Sequence, residues 1–183
     1  MDVNKADSKP ALIERVPEEE SSLTHWPIQI KLIPAGAPFL KGADLLVLAD
    51  CTAVAFPTLH RDLMKGKVVM MGCPKFDDVH EYVEKFTDIF KTAGIKSVTT
   101  VVMEVPCCSG MPMIVKKGIE AANHGYEPQS KLRGIIPSAL SRQRRDSTYQ
   151  FRSAPLSELE FHNKKITLRE IVLSLRGKIL KRS

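Results

Sequence analysis

An α/β fold is predicted by three observations on the sequence. A continuously apolar run at residues 45–49 and a short apolar run within 67–72 have the character of strands buried on both faces, and residues 97–105, rich in valine and threonine, read as a third strand. The second and third are separated by a stretch whose apolar residues recur every three or four positions, which is helical spacing. Strand-like runs alternating with helical ones imply a parallel sheet covered on both faces and joined by right-handed crossovers. A chain of 183 residues suits one such domain with extensions, since a domain holds roughly 100 to 200 residues.

Residues 1–23 carry Pro10, Pro17, the acidic run Glu18, Glu19 and Glu20, and no sustained period, which predicts a flexible polar arm. The α/β domain is expected over residues 24–123. Ile28, Ile30 and Leu32 alternate with Gln29 and Lys31, the pattern of a half-exposed strand, and Pro34 ends it. After a turn-rich stretch, Leu-Leu-Val-Leu-Ala before Asp50 reads as the first buried strand. A helix is expected from Pro57, where proline suits a first turn, to Lys65 and Gly66. The strand at 67–72 follows. Asp78 then caps a helix, with Glu81 completing a capping box, with Val79, Tyr82, Val83, Phe86, Ile89 and Phe90 on one face and with Gly94 as its stop. Valine and threonine dominate residues 97–105, a further strand. Ser109 is a natural cap for a helix over 110–123, with Ile114, Gly118, Ile119 and Ala122 on one face.

The order breaks at His124. Gly125, Pro128, Gly134, Pro137 and Pro155, with the basic run Arg142, Arg144 and Arg145, mark 124–165 as a basic insertion or loop. Ile166, Leu168, Ile171, Val172, Leu173 and Leu175 then give a last strand. Residues 166–183 are read as that strand and a basic tail of the same domain. The whole is a flavodoxin-like or Rossmann-like parallel sheet of about four to five strands with flanking helices.

The net charge of +6 comes from basic residues concentrated in the last third, and aromatics are only 6%, so a base-stacking nucleic-acid surface is disfavoured. No run approaches the ~18 apolar residues of a membrane helix, so membrane insertion is not expected. The N-terminus lacks the basic-then-apolar order of a secretory leader, which points to a cytoplasmic protein. In that reducing setting cysteines read as metal or redox groups rather than disulfides. The sequence contains neither G-x-G-x-x-G nor a Walker motif, which disfavours nucleotide binding.

Cys51, Cys73 and Cys107 each follow a different predicted strand, and Cys108 adjoins the last of them. Ligands of open α/β sheets sit in the crevice beyond the carboxyl ends of the strands, so thiols distant in sequence can meet there. Four thiolates are the complement of an iron–sulfur cluster or a structural zinc. Gly72 and Gly110 permit close backbone approach, while Pro74 and Pro106 stiffen the loops. A helix starting at Ser109 would aim its free amides at Cys107 and Cys108 and lower their pKa. Adjacent cysteines share one cluster only with unusual backbone geometry, which would leave one as a spare. Two other readings compete. Cys51 and Cys73 can be small buried apolar residues, or Cys107 or Cys108 can be a nucleophile with His60 or His80 as base and Asp77 or Asp78 as orienter. Met70, Met71, Met111 and Met113 are read as core.

The segments His25-Trp-Pro-Ile-Gln, Ala43-Asp-Leu-Leu-Val-Leu-Ala-Asp-Cys51, Gly72-Cys-Pro-Lys-Phe-Asp-Asp78 and Glu104-Val-Pro-Cys-Cys-Ser-Gly110 together resemble the cysteine-rich C-terminal domain of a family of iron–sulfur proteins of anaerobes. The likeness spans residues 26–123 and 171–180. In that family the domain usually follows a ferredoxin module with two four-iron clusters, and the proteins are described as electron carriers or oxidoreductase components. The resemblance implies a [4Fe–4S] cluster held by Cys51, Cys73, Cys107 and Cys108, and zinc stays the alternative metal that a four-thiolate set would also take. It also implies a redox partner protein such as a separate ferredoxin, because the C-x-x-C-x-x-C runs of the module are absent. Residues 124–165 also depart from the family. A weaker likeness links the Cys-Cys pair and Gly-Cys-Pro to the small cluster-bearing subunits of hydrogenases and respiratory complex I. The expected function is that of an electron-transfer component of an anaerobic redox system. The alternatives are a non-catalytic zinc or thiol module for assembly, or a cysteine-dependent enzyme.

Overall fold

The computed structural model describes residues 20–124, 159–161 and 164–182. Most of the expected N-terminal arm, and the basic run Arg142, Arg144 and Arg145, lie outside the described residues. The helices and strands among the described residues include β1 (Asp44–Ala49), α1 (Asp50–Ala55), β2 (Val68–Gly72), α2 (Val79–Ala93), β3 (Ser97–Met103), α3 (Met111–His124), β4 (Leu159–Phe161), β5 (Lys164–Leu173) and β6 (Ile179–Arg182).

The strands form a six-stranded sheet in the order β2-β1-β3-β5-β4, with β6 also paired to β5. β2, β1, β3 and β5 are parallel, and β4 and β6 run antiparallel to β5. The α/β prediction therefore holds, with two short antiparallel strands at one edge. The basic tail is corrected in part: Ile179–Arg182 is strand β6. β4 lies within the stretch read as an insertion.

Burial explains the apolar runs. Leu45 to Ala49 are all buried in β1, as are Val98, Val101 and Val102 in β3, because both faces of the sheet centre are covered. Thr100, also buried, satisfies its hydroxyl by donating to the Arg169 carbonyl at 3.2 Å. α2 lies where its period predicts, with Tyr82, Phe86, Ile89 and Phe90 inside and Gly94 ending it at φ 60°. Fully burying each large apolar side chain is worth about 1.5–3 kcal/mol. α2 packs directly on α3, where Gly118 stands against Phe86. Right-handed crossovers across this strand order put α1 on the opposite face.

Four local expectations are corrected. The helix after β1 starts at Asp50, not Pro57. Thr52 donates its hydroxyl to the Ala49 carbonyl at 2.7 Å, which turns the chain at once into a helix. Pro57 ends that helix instead of starting one, because its ring forces Phe56 out of the helical region, here to φ −108° and ψ 96°. Residues His60–Met64 form a separate π-helical turn. The alternating segment at 28–32 is not a strand; Gln29 bridges Met71, and the chain then turns so that Ile30 and Ile33 are buried while Leu32 is exposed. Asp78 caps α2 by accepting the His80 N–H at 2.8 Å, but Glu81 pairs with Lys31 rather than closing a capping box. Finally, Ser109 does not cap α3, since its hydroxyl donates to the Pro106 carbonyl at 2.8 Å.

Candidate functional site

The register of the parallel strands places the thiols. Ala49 at the end of β1 lies opposite Gly72 at the end of β2, and β3 runs beside β1 on its other side. The chain leaves β1 leftward to β2 and returns to β3, so a strand-order reversal lies between β1 and β3, the position of ligand crevices in open α/β sheets. Cys51 is the second residue of α1, Cys73 follows β2 directly, and Cys107 and Cys108 lie in the turn between β3 and α3. All four are thus at one edge, the carboxyl edge, and all are free thiols.

Their environments differ. Cys51 and Cys107 are exposed, Cys73 is half-buried and Cys108 is 3% exposed. The Sγ atoms of Cys107 and Cys108 are 3.9 Å apart. A tight turn fixes the pair, with the Cys108 N–H donating to the Val105 carbonyl and the Met111 N–H to the Cys108 carbonyl, each at 3.1 Å. Burial pushes the Cys108 thiol up to about 11, opposed by the backbone of Met103 and reinforced by Cys107 and Cys51. Cys51 is therefore within electrostatic reach of Cys108. The expected lowering of the Cys108 pKa is overturned: α3 begins at Met111, beyond the pair, and desolvation outweighs any field from its first turn. Gly110 has open space around it, so no close approach explains that glycine.

A polar network flanks the β1 and β2 ends. Asp77 accepts hydrogen bonds from the Tyr82 hydroxyl and, at 3.3 Å, from the Cys73 N–H, and it pairs with Lys31 at 3.1 Å. The Tyr82 bond first, helped by Lys31 and against some burial, holds the Asp77 carboxyl below its usual range, and burial with Asp77 pushes the Tyr82 hydroxyl up. Tyr82 itself stands on Gly72, where any Cβ would collide with its hydroxyl. Asp50, next to Cys51, is pushed up by burial and by the Asp77 charge, with the Gln29 side chain opposing. Its Oδ1 is buried with no hydrogen-bond partner among the described residues. Asp50, Tyr82 and Lys31 were not expected at the site. The sequence signal for Asp50 was its place next to Cys51, and no motif marked Tyr82 or Lys31 as site residues.

The histidine-assisted nucleophile finds no support in the geometry. His60 accepts the Ser22 N–H at 3.1 Å, His80 is exposed on α2, and no hydrogen bond joins either ring to a thiol among the described residues. Asp78 is occupied as a cap and Asp77 by Tyr82. Three of the four methionines behave as read: Met70 and Met111 are fully buried and Met71 packs against the core, whereas Met113 is half-buried and outside the core cluster. As a donor set, four cysteines on one edge fit a thiolate-bound metal group. No three His, Cys, Asp or Glu side chains are gathered around a common point among the described residues. No helix among the described residues is long and apolar enough to cross a membrane.

Comparisons with known proteins agree with the fold. An uncharacterized protein of Archaeoglobus fulgidus is 33% identical over 106 residues, covering 58% of this chain and 73% of that protein. No solved structure matches. Neither finding names an iron–sulfur family. A Rossmann-like domain model matches residues 37–144, from the turn before β1 through α3 and beyond, and the chain belongs to that Rossmann-like domain family.

Proposed function

We propose that the protein is an electron-transfer component of an anaerobic redox system, binding an iron–sulfur cluster of the [4Fe–4S] type through Cys51, Cys73, Cys107 and Cys108. The observation that carries this reading is the placement of all four thiols at the carboxyl edge of the sheet, on both sides of the β1/β3 reversal. Bound there, such a group takes up and releases single electrons. The chain's part is to hold and tune it. Burial of Cys108 lowers the local dielectric, the turn from Val105 to Met111 fixes the pair, and the Cys73 N–H bond to Asp77 orients that loop. Large apolar side chains are also exposed on α1 (Val54), on the loop after Cys73 (Phe76) and on the turn after β5 (Leu175), which suit contact with a redox partner such as a separate ferredoxin. A reducing, cytoplasmic setting would keep the four thiols available.

Anaerobic purification followed by an ultraviolet–visible spectrum and iron, sulfide and zinc analysis tests this. Visible absorbance with iron and sulfide is the expected result. Stoichiometric zinc in a colourless protein would instead favour a structural thiol module, and a colourless, metal-free protein would remove both readings. Cys73→Ser is expected to cost metal occupancy as heavily as Cys107→Ser, because both thiols leave the same edge.

A further inference from the structure

We propose that the adjacent thiols of Cys107 and Cys108 form a dithiol–disulfide couple that exchanges electrons with small disulfides, with Cys107 as the thiol that meets the substrate. This activity does not rest on metal binding, since it needs only the pair. Three features of the site carry it. The two Sγ atoms stand 3.9 Å apart and must close by about 2 Å to the ~2.05 Å of a bond. Cys107 is exposed whereas Cys108 is 3% exposed, so an external disulfide reaches the first sulfur and not the second. The pair also lies in a turn, outside β3 and α3, where the backbone can adjust without breaking the sheet or the helix.

The exchange balances with a small disulfide as oxidant. The Cys107 sulfur, as thiolate, attacks one sulfur of the disulfide; the S–S bond breaks, a mixed disulfide forms on Cys107, and one small thiol leaves. The Cys108 sulfur then gives up its proton to solvent and attacks the Cys107 sulfur. The Cys107–Cys108 bond forms and the second small thiol leaves with the electron pair. Two protein thiols are oxidised and one disulfide is reduced to two thiols. Consecutive Cα atoms are ~3.8 Å apart, below the usual ~4.4–6.8 Å of disulfides, so the bond is strained and easily reduced. Such a bond is a reversible couple rather than a structural staple. Cys51 is near enough to influence Cys108 and is the competing partner.

The test uses the full-length chain, as purified and after chelator treatment with the fold checked by circular dichroism. It is incubated anaerobically with glutathione disulfide, after which free thiols are counted and tryptic peptides mapped by mass. In the chelator-treated chain, loss of two of the four thiols is expected, both in the peptide that carries Cys107 and Cys108, and reduced glutathione should restore them. Cys108→Ser should trap glutathione on Cys107, and Cys107→Ser should yield neither adduct nor internal bond. The proposal is overturned if the chelated chain keeps all its thiols, if the bond formed joins Cys51 to Cys108, or if Cys108→Ser leaves Cys107 unmodified. Protection before chelation and reaction after it would support this couple and the metal reading together. Failure of the metal reading shows in metal content and colour, which the thiol count does not measure.

Discussion

Tyr82 shows how one side chain shapes the end of β2. Its ring is buried among α2 and the sheet while its hydroxyl reaches over Gly72 to the Asp77 carboxylate. A hydrogen bond to a charged group is worth about 1.5–3 kcal/mol, so Tyr82→Phe is expected to cost that much at pH 7. The Asp77 carboxyl titrates below its unfolded value of 3.8, which makes the bond's contribution complete above that value and lost as pH falls through the folded one. Urea melts at neutral and strongly acidic pH should therefore show a penalty that shrinks in acid, and an equal penalty at both would assign it to packing alone. Asp50 has the opposite sign. Its pKa is raised, so stability is lost as pH rises through the folded value, and Asp50→Asn should raise Tm at pH 7 with little effect in strong acid.

Among the elements, the contact of α2 with α3 depends on Gly118. A Cβ there would lie 2.6 Å from the Phe86 Cβ, a clash with a side-chain root that cannot swing away. Overpacking costs about 1–3 kcal/mol, against roughly 1 kcal/mol gained in helix propensity, so Gly118→Ala should lower Tm whereas Gly110→Ala, in open space, should not. The elements differ in how far local chemistry reveals them. α2 was legible because Asp78, the apolar period and Gly94 all agree, and β1 and β3 because nothing else buries such runs. The helix after β1 was not, since proline reads alike before a first turn and after a last one, and the Thr52 hydroxyl donating to the Ala49 carbonyl is a contact no pattern displays. Residues 28–32 alternate in sequence, yet a turn at Gln29 buries Ile30 and Ile33 at a spacing of three.

At the scale of the molecule, strand–helix alternation was enough to bring the thiols to one edge. The burial of Cys108 and the Tyr82–Asp77 bond arise only from packing and were not legible. The opposite problem of a sheet is its free edge, and here β6 covers the outer side of β5 at residues 171–173. The ion pair of Lys181 with Glu170, 2.9 Å long with Lys181 exposed, contributes little by itself, so β6 is held by its ladder and by the turn before it. That turn closes with the Ser174 N–H donating to the Lys178 carbonyl at 2.8 Å, Gly177 at φ 72°, and the Leu175 N–H donating to Glu104 at 2.8 Å beside the cysteine turn. Removing residues 179–183 is expected to bare part of the β5 edge, giving self-association on size exclusion as well as a lower Tm. Gly177→Ala separates the two effects. Its methyl would meet the Ala55 carbonyl and the left-handed φ would be strained, so the chain should lose stability while β6 still covers the edge and the protein keeps the elution volume of the parent. If both variants associate equally, β6 is not what protects the edge.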